Sequence, residues 1–195
     1  MSSPAKGSTM LLVLAMLLLT SGCASGRADA ARVWPPDLPP PEGELVILGD
    51  IVLDGFVFLP EDYAALGVVD VDTVAPSRAV LRWGEVARHG AVILRTNLSG
   101  SDSDLHGRMP QIDALLRWFS ARDPAPPPSI LISPPPPADE PVFVVDGLVM
   151  GLQRALAETG DRRIGLIYVA RGERAAAPYG RRAWYGLVIV TTERM

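Results

Sequence analysis

The chain carries one stretch of sequence twice, and this repeat limits its possible folds more than any other feature. Residues 68–97 lie over residues 164–193 without a gap. The overlay gives eight identities: Arg78/Arg174, Ala79/Ala175, Gly84/Gly180, Ala87/Ala183, Gly90/Gly186, Val92/Val188, Ile93/Ile189 and Thr96/Thr192. Unrelated segments of that length share about two. Upstream, Val52-Leu53-Asp54-Gly55 is set against Val144-Val145-Asp146-Gly147, which leaves four more residues in the second copy before the common block. Four residues are about one helical turn, so a longer helix absorbs them without moving the strands. A tandem duplication is expected.

Both copies read as ββαβαβ, an α+β arrangement. A β-rich run, residues 45–53 in the first copy and 142–145 in the second, meets Asp-Gly, the favoured type I′ hairpin turn. The return strands are then 56–58 and 148–150. Pro60 with Glu61 and Asp62 opens a helix that Gly67 ends, while Leu152, Ala155, Leu156 and Thr159 share one helical face before Gly160. Strands over 68–74 and 164–170 follow, then alanine-rich helical turns ending at Trp83-Gly84 and Tyr179-Gly180. Closing strands over 91–96 and 187–192 complete each copy. Gly84 and Gly180 fit the left-handed position after a helix, and Gly90 and Gly186 predict a backbone angle that a β-carbon would oppose.

Residues 1–22 have the layout of a signal peptide: Lys6, an apolar run from Leu11 to Leu19, then Thr20-Ser21-Gly22 before Cys23. Nine apolar residues are too few for a bilayer span, which needs about 20 in helix. Leu19-Thr-Ser-Gly-Cys23 resembles the bacterial lipobox, and that resemblance implies cleavage before Cys23 and acylation of its sulfur. The alternative for Cys23 is a buried thiol. Ala24 lacks the aspartate that resembles an inner-membrane retention signal, so a lipid anchor in the outer membrane, facing the periplasm, is expected. Residues 23–42 form a Pro-rich spacer and residues 123–140 a Pro-rich linker, where Pro126–Pro128 and Pro134–Pro137 exclude helix and central strand. Two domains are thus expected, 43–122 with a C-terminal helix and 141–195. In that helix Ile112, Leu115, Leu116 and Phe119 lie on one face, with Asp113 and Arg117 outside.

Charge and side-chain inventory narrow the function. The chain has 195 residues and a formal charge of −4, with one lysine, Lys6, so nothing draws it as a whole towards nucleic acid. A phosphate-binding loop of the Walker type needs a lysine that the mature chain lacks. Cys23 is the only cysteine, which removes disulfides and thiol catalysis once it is acylated. His89 and His106 are the only histidines, and neither has a nucleophile at a recognisable spacing. Asp102-x-Asp104-x-His106-Gly107 with Asp113 imitates a calcium loop, but His106 replaces an Asp or Asn, Asp113 replaces the bidentate Glu, and a strand rather than a helix precedes it. The competing reading is a Ser/Asp turn that caps the helix after Pro110. Asp54 and Asp146 are a carboxylate pair only if the copies dock turn to turn, and turn chemistry explains both. Neither cofactor nor enzyme activity is expected. Residues 23–140 hold 9 Arg and 17 acids, whereas residues 141–195 hold 8 Arg and 5 acids.

In the second copy Pro141-Val-Phe-Val-Val-Asp-Gly147, Ile164-Gly-Leu-Ile-Tyr-Val169, Ala175-Ala-Ala-Pro-Tyr-Gly180 and Gly186-Leu-Val-Ile-Val-Thr-Thr192 stand in series. This series resembles the plug domain of TonB-dependent outer-membrane receptors, whose pattern runs P-L-Y-V-I-D-G, I-E-S-I-E-V-L-K, A-x-x-x-Y-G-S-R and G-V-I-L-I-T-T-K. Residues 44–97 are a degenerate version, with Trp83 for the tyrosine and Val71-Asp72-Thr73 in a strand that is otherwise apolar. Arg182 matches the arginine of Y-G-x-R, as a fold salt bridge or a partner contact, while Arg171 and Glu173 depart from the family. Thr192 is followed by three residues, so two plug-like domains without a barrel are expected. The resemblance implies a non-catalytic lipoprotein that binds a protein or ligand at the periplasmic face. The alternative is an accessory subunit of a TonB-linked uptake system, with an outer-membrane barrel or other envelope protein as partner.

Overall fold

The computed structural model describes residues 40–97, 104–122 and 140–193. The segment read as a signal peptide, Cys23, most of the Pro-rich spacer, Asp102 and most of the Pro-rich linker lie outside them. The first copy opens with antiparallel strands β1 (Leu45–Leu48) and β2 (Ile51–Asp54). Helix α1 (Pro60–Ala65), strand β3 (Val68–Val74), helix α2 (Pro76–Trp83) and strand β4 (Ala91–Thr96) complete it. Helix α3 (Leu105–Arg122) comes next. The second copy repeats the series as β5 (Val142–Val145), β6 (Leu148–Met150), α4 (Leu152–Thr159), β7 (Ile164–Ala170), α5 (Gly172–Tyr179) and β8 (Leu187–Thr192). The chain is mixed α/β, each copy runs ββαβαβ, and the bounds of β3, β4, β7 and β8 are those the sequence predicts.

All eight strands make one mixed sheet in the order β3-β4-β1-β2-β7-β8-β5-β6. The copies therefore meet edge to edge, with β2 parallel to β7. Alternating side chains feed two cores, one on each face. On one face Leu48, Ile51, Leu53, Phe143, Val145, Ile167 and Val169 pack under α1, α3 and α4. On the other, Leu45, Ile47, Val52, Val144 and Tyr168 pack under Ala79 and Trp83 of α2 and Ala175 of α5. Both cores draw on both copies, so segments 43–122 and 141–195 share their apolar interior. Helix α3 follows the same rule: its face of Ile112, Leu115, Leu116 and Phe119 is buried as expected, but it covers both copies.

Five local expectations are corrected. The first hairpin turns at Gly49-Asp50, with Gly49 at φ 67°, and Asp54-Gly55 comes after β2. Gly49-Asp50 matches Asp146-Gly147, so β1 and β5 stand at nearly the same distance from the common block. The four-residue insertion disappears; the second copy instead has a shorter connection and a longer helix. Residues 56–58 are not a return strand: Phe56 and Phe58 set their rings edge-on to Phe119, with centroids 5.0 and 5.2 Å away. The helix expected after Pro110 begins at Leu105 and runs through the proline, whose missing N–H would face the carbonyl of exposed His106. Finally, Gly90 does take a positive φ of 102°, but Gly186 does not. A β-carbon on Gly186 would lie 2.8 Å from Leu116 Cδ1, so space under α3 requires that glycine.

Candidate functional site

Polar residues that could carry chemistry were followed to their partners. Asp54 ends β2 where the copies meet. One carboxylate oxygen accepts from the Tyr168 hydroxyl at 2.7 Å and from Arg174 Nε and Nη2 at 2.9 and 2.7 Å. Burial, and then the Asp54 charge, push the Tyr168 hydroxyl above the ordinary tyrosine range. The hydrogen bond to Asp54 raises the Arg174 guanidinium in turn. Tyr168 and Arg174 therefore hold their protons, and with Asp54 they serve as a clamp across the β2–β7 seam. The Arg171 amide adds a backbone bond to the Asp54 carbonyl at 3.3 Å. The Arg171 guanidinium is buried, with its carbon 5.6 Å from the Phe119 ring.

Asp146 belongs to a different place. It sits in the β5–β6 turn at φ 48°, where its carboxylate accepts from the Thr192 amide and hydroxyl at 2.9 and 2.7 Å and pairs with Arg162. Turn chemistry explains Asp146 but not Asp54, and the two form no carboxylate pair. Asp62 is fully buried. Burial would raise its carboxyl, yet the Leu59 amide, Trp118 Nε1 and Arg122 together hold it below the usual carboxylate range. It ties α1 to α3. Asp104 caps α3, accepting from the Gly107 amide at 2.8 Å. His89 is exposed and accepts from Arg88 Nε, and Arg182 is exposed on a 3-10 turn. Among the described residues no three His, Cys, Asp or Glu side chains gather as a metal site.

Two surface features remain. A groove of about 570 Å³ runs between α3 and the second copy, lined by Met109, Ile112, Leu116, Phe143, Leu152 and Tyr185 with Asp113, Arg117 and Glu140. Among the described residues the sheet also ends in two strands bonded on one side only, β3 and β6. On β6, Leu148 is 64% exposed and Val149 47%, and the strand holds no charge. On β3, Val69 and Val71 are exposed beside Asp70 and Asp72, which reach Arg95 at 3.7 and 3.9 Å. Acidic side chains are a usual protection for such an edge, and β6 has none.

Sequence reasoning missed the clamp because Asp54 precedes Gly55 and reads as a turn. The one signal was Arg78/Arg174, an identity on the first turns of α2 and α5. Compared with protein-family models, with curated proteins and with solved structures, the chain matches none.

Proposed function

We propose that the chain is a non-catalytic lipoprotein, held in the outer membrane by acyl groups on Cys23, that binds an envelope protein by strand addition to β6. The observation that carries this reading is the edge itself: three consecutive apolar residues whose outer backbone groups face no neighbouring strand among the described residues. Such an edge recruits an extended segment through main-chain hydrogen bonds, with alternate side chains giving specificity. The buried acids and their arginines are committed to holding the fold, which favours binding over catalysis. The resemblance of residues 141–195 to receptor plugs supports a partner in the envelope, an outer-membrane barrel included.

Radiolabelled palmitate with a photo-crosslinking residue at Leu148 tests both halves of the proposal in cells. Label should follow Cys23 into the outer-membrane fraction, and light should join Leu148 to a protein there but leave a probe at exposed Ala157 of α4 unjoined. Label persisting in Cys23→Ser, or equal crosslinking from both positions, contradicts it.

A further inference from the structure

Each copy presents two unlike edges: its third strand on one side (β3 or β7) and its second strand on the other (β2 or β6). Within the chain, β2 pairs in parallel with β7 through Ile51↔Ile167, Val52↔Tyr168 and Leu53↔Val169. A junction between unlike edges uses one edge of each copy and leaves one of each kind, β6 and β3, at the ends of the sheet. Heterologous contacts of this sort can be repeated without limit unless their rotation closes a ring. We propose that β6 of one molecule pairs in parallel with β3 of a second copy of this chain, repeating the β2–β7 junction between molecules. The inference rests on reading β6 as a binding edge and names its occupant.

The register follows from the repeat. Strand β1 meets β4 at Leu45↔Ala91 and β5 meets β8 at Val142↔Leu187, which fixes how the copies correspond. Carried to the ends of the sheet, Leu148 meets Val71, Val149 meets Asp72 and Met150 meets Thr73. Exposure shows what these positions lack. Ile51 and Ile167 are 0% and 3% exposed at the internal junction, whereas their counterparts Leu148 and Val71 are 64% and 47% exposed. Head-to-tail pairing also sets the first copy, with 4 Arg against 8 acids over residues 44–97, beside the Arg-rich second copy of the next chain. The clamp is not repeated, because Gly151 and Asp72 stand where the internal junction has Asp54 and Tyr168. Contact between molecules is thus weaker than the seam within one. Tethering to one membrane raises the local concentration that a weak, repeatable contact needs.

Paired residues on adjacent strands lie about 4.8 Å apart, within the range a disulfide spans between Cα atoms, about 4.4–6.8 Å. The test therefore uses the full chain in its envelope, with Val149→Cys and Asp72→Cys expressed separately and together. Mild oxidation should give at least about tenfold more crosslinked dimer when the two are co-expressed than with either alone. A chain carrying both should form a ladder of dimers, trimers and longer species. Val149→Cys crosslinking as well by itself, or Gln153→Cys replacing Val149→Cys without loss, overturns head-to-tail pairing. If no dimer forms while Leu148 photo-crosslinks to a different envelope protein, self-pairing is overturned and the binding reading stands. Failure of both experiments removes both.

Discussion

Replacing Asp54 by alanine should unfold the chain more readily than any change to an exposed ion pair. The Asp54 side chain is 9% exposed and that of Arg174 25%, so the clamp is largely withdrawn from water. Alanine removes the acceptor that Tyr168 and Arg174 share. Hydrogen bonds to charged groups contribute about 1.5–3 kcal/mol each, and breaking a buried ion pair from one side costs about 3–5 kcal/mol. Arg174 keeps partial access to water and a bond to the Pro40 carbonyl at 3.2 Å, which places the loss near the lower end, about 2–3 kcal/mol. That is roughly a 30- to 150-fold change in the folded ratio. Urea unfolding followed by circular dichroism reads it as a lower midpoint at unchanged slope. Asp113→Ala, which breaks the exposed pair with Arg117 one helical turn away, is the control and should cost about 0.3–0.5 kcal/mol. Tyr168→Phe should cost less in the Asp54→Ala background than in the parent, because the two share one bond. If Asp54→Ala and Asp113→Ala shift the midpoint equally, the seam is not clamped as described.

Three further perturbations separate the causes argued above. Gly186→Ala should cost about 1–3 kcal/mol through overpacking against Leu116, and trimming Leu116 to alanine in the same chain should recover part of that loss; no coupling between the two refutes the steric reason. Gly180 has open space for a β-carbon but stands at φ 78° and ψ 175°, outside the left-handed helical well that asparagine tolerates, so Gly180→Ala and Gly180→Asn should each cost about 1–3 kcal/mol, as judged from thermal midpoints. For Asp62, whose folded carboxyl lies below its ordinary value of 3.8, the unfolded chain binds more protons between those two values. Its stabilisation is complete above the ordinary value and is lost as pH falls through the folded one. The stability gap between parent and Asp62→Asn should therefore shrink on acidification below about pH 4, and a gap constant from neutral to pH 3 contradicts the assignment.

Burial writes β7 and β8 directly, because they are inside the sheet and read as largely apolar runs, and the gapless overlay of the repeat carries their bounds to β3 and β4. The same repeat explains why the first copy looks degenerate. Strand β3 is the counterpart of β7 but lies at the sheet edge, so Asp70, Asp72 and Thr73 replace apolar residues there without loss of core. The first hairpin was misplaced because Gly49-Asp50 and Asp54-Gly55 are both good turn signals, and only pairing with β7 extends β2 through Asp54. Joining of the copies was not legible for a related reason. An edge residue and a seam residue differ in what the other copy places beside them, which local pattern does not record. Cys23 and the lipobox lie outside the described residues and stand on sequence alone.

Hydrogen exchange across the seam tests most directly whether two copies form one sheet. Measured in rising sub-denaturing urea, the slow amides of β2 (Ile51–Asp54) and of the part of β7 paired with it, residues 167–170, should converge on a single opening free energy equal to that of global unfolding, with Leu148–Met150 at the β6 edge exchanging sooner. Amides of β2 and β7 that instead open with different free energies and different urea slopes would mean that the copies unfold independently, and the shared sheet would be contradicted.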